Sequence, residues 1–323
     1  MQLRVLLALA AGLAGAISPL AGAQDYPSRP IRMIVPFGPG TSTDITGRIF
    51  AQALSQQLKQ AVVVENKPGA GGNIGTEFVA KSAPNGYTLS FGTVGTLAIN
   101  ASLLRKLAFD PLRDFVPLAL AGATPTLLVV RADAPYANVA ELVAYAKQHP
   151  DKVSFASAGN GTSGHLAGEL LKVMSGASMT HIPYKEGTQA LTAVMSGQVD
   201  FMFYHPAAVM AHISSGRLKA LAASSARRAS AAPNVPALVE SGYAGFDLVA
   251  WFMLAAPAGT PAPIVKQLLE ACERVLKTPE VVRQLEAQGI EQLPVASAEL
   301  PGFLAAENAK WAKIVRASGA QVD

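Results

Sequence analysis

FGPGTSTD (Phe37–Asp44) and AGNGTSGH (Ala158–His165) share a Gly-x-Gly-Thr-Ser core more than a hundred residues apart. Each follows a short β-rich run and opens an apolar stripe of helical spacing. Before the first stands IRMIVPF (31–37); after it, Ile45, Ile49, Phe50, Ala53, Leu54 and Leu58 fall on one helical face. A helix start offers free N–H donors and about half a positive charge, which makes an anion site without any lysine. Thr41 with Asp44 fits a Thr-x-x-Asp capping pattern that fixes such a start. Two such units in separate regions predict two lobes, each presenting one anion-binding loop. A ligand then lies in the cleft between them, beyond the strand ends.

The rest of the chain supports this reading. AVVVEN (61–66), YTLSFGT (87–93), TLLVVRA (126–132), KVSFAS (152–157), MTHIPY (179–184), VDFMFY (199–204), LKALAASS (218–225) and VAWFMLAAP (249–257) read as strands. Amphipathic runs alternate with most of them, and three helices close the chain, at Lys266–Lys277, Glu280–Gln288 and Ala298–Ser318. Alternation of this kind implies βαβ units, hence α/β lobes of mostly parallel sheet flanked by helices.

The chain of 323 residues opens with a basic tip, Met1–Arg4, an apolar run, VLLALAAGLAGAI, and the small-x-small ending Ala21-Gly22-Ala23. That pattern predicts a signal peptide over residues 1–23, cut near Ala23/Gln24, and an exported, periplasmic product. Half the residues are hydrophobic and the formal charge is only +4, with cations scattered. A large core follows; a nucleic-acid footprint does not. One cysteine, Cys272, excludes an internal disulfide and a cysteine-based zinc site, and reads as a buried helix residue. The five histidines show no paired ligand spacing, so no metal is expected.

Two enzyme patterns compete for the second loop. Gly159-Asn-Gly161-Thr-Ser-Gly164 matches G-x-G-x-x-G, with Glu186 at ribose-contact distance. The first loop lacks its third glycine, carrying Thr43 there, and an exported protein meets little free nicotinamide cofactor. Gly161-Thr-Ser163-Gly-His165 is one residue from a nucleophile elbow, and Asp200 followed by His205 or His212 keeps hydrolase order. Against it, Ser163 reads as a first-turn helix residue whose hydroxyl faces an anion or a backbone N–H.

Taken in order, RPIRMIVPFGPGTSTD, VVVENKPGAGGNIGT, APNGYTLSFGT, FDPLRDFVPLALAG, FASAGNGTSGHLAGELL, HIPYKEGTQAL, SGQVDFMF, GRLKALAASSARR, APNVPALVESGY and APAGTPAPIV resemble the Bug family. These are extracytoplasmic solute receptors of tripartite tricarboxylate transporters. The resemblance implies a two-lobed type II periplasmic binding protein with two crossovers, near Ala121 and Ser225. Lobe 1 is then 24–121 plus 226–323, and lobe 2 is 122–225. It implies a receptor without cofactor or catalysis that binds a small organic carboxylate and serves membrane transport components; a monomer is the default expectation. The first loop contributes Phe37, Gly40, Thr41, Ser42, Thr43 and Asp44. The second contributes Ser157, Ala158, Gly159, Thr162, Ser163 and His165, and the third strand's end adds Gly92, Thr93 and Thr96. A sensor receptor is the alternative on the same fold.

The chain departs from the family pattern at three places. Thr41 replaces a glycine in the first loop, Glu186 stands where small residues are usual, and Tyr204 stands where many relatives carry an acid or amide. An acid there pairs with a ligand ammonium; a tyrosine cannot. Tyr204 and His205 therefore point to a di-, tri- or aromatic carboxylate rather than an amino acid.

Overall fold

The computed structural model describes residues 26–293 and 295–318. The predicted signal peptide lies outside the described residues. Among the described residues ten strands form two five-stranded sheets. The first contains β1 (Ile31–Val35), β2 (Val62–Asn66), β3 (Thr88–Thr93), β4 (Phe115–Pro125) and β10 (Val249–Pro257), in the order β2-β1-β3-β10-β4. The second contains β5 (Leu127–Arg131), β6 (Ser154–Ser157), β7 (Thr180–Pro183), β8 (Phe201–Tyr204) and β9 (Leu218–Ala223), in the order β7-β6-β8-β5-β9.

β1 runs parallel to β2 and β3, and β6 runs parallel to β7 and β8. β10 is antiparallel to both its neighbours, and so is β5. In each sheet the remaining strands share one direction, as the βαβ pattern predicts. The reversed strand in each is the one reached from the other sheet, without a same-sheet helical crossover to set its direction. The chain passes between sheets at Thr126, and again between Ala223 and Val249.

Among the described residues ten α-helices flank the sheets: α1 (Ser42–Leu58), α2 (Asn73–Ala80), α3 (Asn100–Leu103), α4 (Val139–Gln148), α5 (Ser163–Ser175), α6 (Gly187–Met195), α7 (Pro206–Ser214), α8 (Ala262–Leu276), α9 (Pro279–Ala287) and α10 (Leu300–Ser318). Helix α8 starts four residues earlier than its apolar spacing predicts. Pro261 takes its N-cap position and Pro263 its first turn, where a missing N–H has no helical acceptor in any case. Strand β4 escapes the sequence reading altogether. Pro117, Pro125 and Gly122 argue against a strand, but β4 is an edge strand with irregular register, where such residues are tolerated.

Alternation along β1 sends Ile31, Met33 and Val35 to one core with Phe50 and Leu54 of α1 and Leu268 and Cys272 of α8. Ile34 faces the opposite core. That second core continues beneath the other sheet through Leu128, Phe155 and Phe201, and α10 contributes Leu304, Trp311 and Val315 to it. Full burial of each such side chain stabilises the fold by about 1.5–3 kcal/mol. Glu307 Oε2 joins the halves of this core, accepting from Trp251 Nε1 at 2.7 Å and Trp311 Nε1 at 3.0 Å. No described helix is long and apolar enough to cross a membrane.

Candidate functional site

The two Gly-Thr-Ser loops fold alike. Thr41 N-caps α1: its Oγ1 accepts from Asp44 N–H at 3.3 Å and donates to the Gly38 carbonyl at 2.8 Å. Thr162 N-caps α5 in the same way, accepting from His165 N–H at 3.4 Å and donating to the Gly159 carbonyl at 2.9 Å. Gly40 and Gly161 adopt φ of 76° and 79°, a left-handed conformation that glycine takes without steric cost.

Capping in this manner engages the third helical N–H and leaves the first two of each helix with no acceptor inside it. Those belong to Ser42 and Thr43 in α1 and to Ser163 and Gly164 in α5, and all four residues line one cavity. Two helix N-termini, one from each sheet, therefore converge on the same small space. The cavity, about 40 Å³, is completed by Phe37, Thr41, Thr93, Val94, Ala158, Thr162, Phe203, Tyr204, His205 and Ala250. No Lys, Arg, Asp or Glu is among these residues. The walls are apolar and the polarity comes from backbone and hydroxyl groups.

Ser42 Oγ is buried without a hydrogen-bond partner among the described residues. Ser163 Oγ lies 3.1 Å from His205 Nε2, while His205 Nδ1 is also buried and unpartnered. Burial pushes the His205 pKa down to about 4, so the ring is neutral at pH 7. Tyr204 stacks on it with ring centroids 5.8 Å apart, and burial raises the phenol pKa well above its ordinary value.

A model of the family described as TctC, tripartite tricarboxylate transporter family receptor, matches residues 46–320. The chain belongs to the TctC family. It is 38% identical to protein BugT of Bordetella pertussis over 97% of this chain and 95% of BugT. Among solved structures, R. palustris Rpa4515 with adipate superposes with a TM-score of 0.88 at 32% identity, covering 91% of this chain and 99% of that one. The periplasmic binding protein BugD gives 0.87 at 34% identity, covering 92% and 99%. The expected Bug-family kinship and the two-lobed periplasmic binding protein fold are thereby established. TctC proteins are solute receptors, not an enzyme class.

Within this TctC receptor the nominated residues divide into two sets. Phe37, Thr41, Ser42, Thr43, Thr93, Ala158, Thr162, Ser163, Tyr204 and His205 line the cavity. The others brace it. Asp44 binds Gly40 N–H of its own loop, Arg48 of α1 and Asn66 at the end of β2, so both its oxygens are occupied away from the cavity's ligand space. Burial alone would raise the Asp44 pKa, but these hydrogen bonds outweigh it and hold the carboxyl below its ordinary range. His165 Nδ1 accepts the Gly161 N–H at 3.2 Å. Ser157 Oγ donates to the Gly159 carbonyl and contacts His181 Nε2 at 2.7 Å. Thr96 Oγ1 accepts from Thr93 N–H at 3.1 Å. A methyl group on Gly92 would strike Leu97, so this glycine serves packing.

The sequence reading misses Val94, Gly164, Phe203 and Ala250 as lining residues. It also misses a cluster behind the second loop, where ligand atoms of His165, Glu169 and His181 lie within 4.8 Å of one another. The two imidazoles stack at 4.1 Å, which sets their nitrogen lone pairs side by side rather than converging on one point. Lys172 already pairs with Glu169 at 2.9 Å. The arrangement is that of packed neutral rings, and burial pushes the pKa values of His165 and His181 down to about 4 and 3.

Proposed function

We propose that this chain is an exported receptor that closes two lobes over a small organic carboxylate and hands it to the membrane components of a tripartite transporter. The observation that carries the reading is the convergence of the α1 and α5 N-termini, with their free N–H groups, on one cavity. In this reading residues 1–23 are a signal peptide removed near Ala23/Gln24. The lobes are 24–121 plus 226–323 and 122–225, and the mature protein acts as a monomer.

Closure follows from where the donors sit. A carboxylate between the loops gains from both partial positive charges only when the lobes meet, so the ligand favours the closed form through contacts unique to it. A cavity of about 40 Å³ holds on the order of three water molecules. Entry of a carboxylic acid with a carbon skeleton therefore requires the lobes to separate and re-close around it. Tyr204 and neutral His205 bring no negative charge to pair with an ammonium group, which favours deaminated carboxylates over amino acids.

The test is calorimetric titration of the mature protein, refolded free of carried-over ligand, with aliphatic, aromatic and amino carboxylates. A carboxylate that binds wild type and is lost on Ser163→Asp, which sets a carboxylate among the free N–H groups, supports the receptor. A folded protein indifferent to every carboxylate defeats it.

The Ser163–His205 contact supports a second reading, an exported serine hydrolase. The acid that would orient the histidine is missing: Asp200 binds Ser154 N–H at 2.8 Å, at the opposite end of β8, and His205 Nδ1 has no partner. Ester turnover that vanishes in Ser163→Ala would restore it.

A further inference from the structure

Glu186 occupies the N-cap position of α6, but its side chain does not cap that helix. It reaches instead to the first loop. A methyl group built on Gly38 would lie 2.7 Å from Glu186 Oε2 and 3.0 Å from its carboxyl carbon. The half-buried carboxylate thus lies against the Gly38 backbone, across the line where the lobes meet. No described side chain forms an ion pair with it. On one side Gly38 adjoins Phe37. On the other, Gly187 abuts the Tyr204 hydroxyl so closely that a methyl there would fall 2.0 Å from it. Phe37 and Tyr204 both line the cavity, so Glu186, itself outside the lining, stands behind two of its aromatic residues.

The cavity therefore offers a carboxylate one set of donors, the free N–H groups of the two helix N-termini, and no cation. The rest of the lining is Phe37, Val94, Ala158, Phe203 and Ala250 with the neutral polar groups of Thr41, Thr93, Thr162, Tyr204 and His205, and the Glu186 carboxylate stands just outside it. A ligand carboxylate at the N-termini is well served. A second one, remote from them, would find no cation on the lining and would face the like charge of Glu186.

We propose that Glu186 sets the charge specificity of the receptor, selecting monocarboxylates with an apolar or aromatic body and rejecting those with a second, remote carboxylate. This rests on the receptor reading above and narrows its ligand class. Like charges, partly screened, cost on the order of tenfold in affinity.

The experiment is titration calorimetry with matched pairs, hexanoate against adipate and 4-methylbenzoate against terephthalate, on wild type and Glu186→Gln. Wild type should prefer the monocarboxylate of a pair by about tenfold or more. In Glu186→Gln that preference should shrink by about tenfold, and the difference between the two proteins should fade in high salt. Wild-type protein that binds the dicarboxylate at least as tightly as its partner overturns the inference and leaves the receptor standing. A preference unchanged in Glu186→Gln also overturns it, because a merely structural latch would shift both partners alike. A folded wild type that binds none of the four acids, nor any other carboxylate, takes down the receptor reading and this inference together.

Discussion

Asp44 Oδ2 and His165 Nδ1 perform the same task in the two halves of the molecule. Each accepts the N–H of the glycine four residues before it, Gly40 at 3.0 Å and Gly161 at 3.2 Å, and so fixes the loop ahead of its helix. One brace is an anion and the other a neutral imidazole, and acid undoes both.

The pH dependence follows from the direction of the shifts. His165 titrates near 4 in the folded state and near 6.5 when unfolded, because burial penalises the charged ring. Between those values the unfolded chain binds a proton that the folded one does not, so stability falls as pH drops from 6.5 toward 4. His181 and His205 act in the same sense. Asp44, depressed, adds stability above the ordinary carboxylate pKa and loses it only as pH falls through its lower folded value. His165→Asn keeps an acceptor for Gly161 but removes one titration. Urea unfolding between pH 5 and 6 should show a slope shallower by about 1.4 kcal/mol per pH unit. An unchanged slope rejects the assignment.

Gly71 tests closure. It has φ of 64°, and a methyl group on it would lie 2.1 Å from the Asn160 carbonyl oxygen in the other half. Gly71→Ala costs about 1–2 kcal/mol for the left-handed backbone, which the fold can absorb. The clash bears on the closed form alone. Ligand affinity should drop by about a hundredfold or more while circular dichroism stays native; wild-type affinity would show that the lobes need not meet here.

Glu307 accepts from two buried indoles. Glu307→Leu strands both N–H groups, at about 1–3 kcal/mol each, whereas Glu307→Gln keeps one acceptor oxygen. Denaturant titration should rank wild type above the glutamine variant and that above leucine. Equal stability of the two variants contradicts the pairing.

Thr162→Ala removes the α5 cap and should cost about 1 kcal/mol, with Thr162→Ser recovering most of it. A serine variant no more stable than alanine would show that the hydroxyl does not carry the cap.

Much of this was legible in the residues. Strand-loop-helix punctuation marks both Gly-Thr-Ser loops, because local chemistry fixes a cap whatever surrounds it. Thr41 takes the predicted capping role for that reason, and Thr162, read from sequence only as a ligand contact, takes the same role. Which loop residues face the cavity and which face their own loop is a matter of tertiary partners. Asp44 has the composition of a ligand contact, but Arg48 and Asn66, from α1 and the end of β2, claim it. Phe203 and Ala250 reach the cavity from strands whose alternation marks them only as core. β4 was illegible because prolines that forbid a central strand are harmless at an edge.

The core shared by both sheets has a consequence for how the molecule comes apart. Phe155 beneath one sheet, Trp251 beneath the other and Trp311 between them belong to one continuous apolar body. Neither half can melt without exposing surface that the other half covers. Heat should therefore find a single cooperative unit, and a flaw introduced in α10, which packs against α5 and the segment after β3, will loosen both jaws at once.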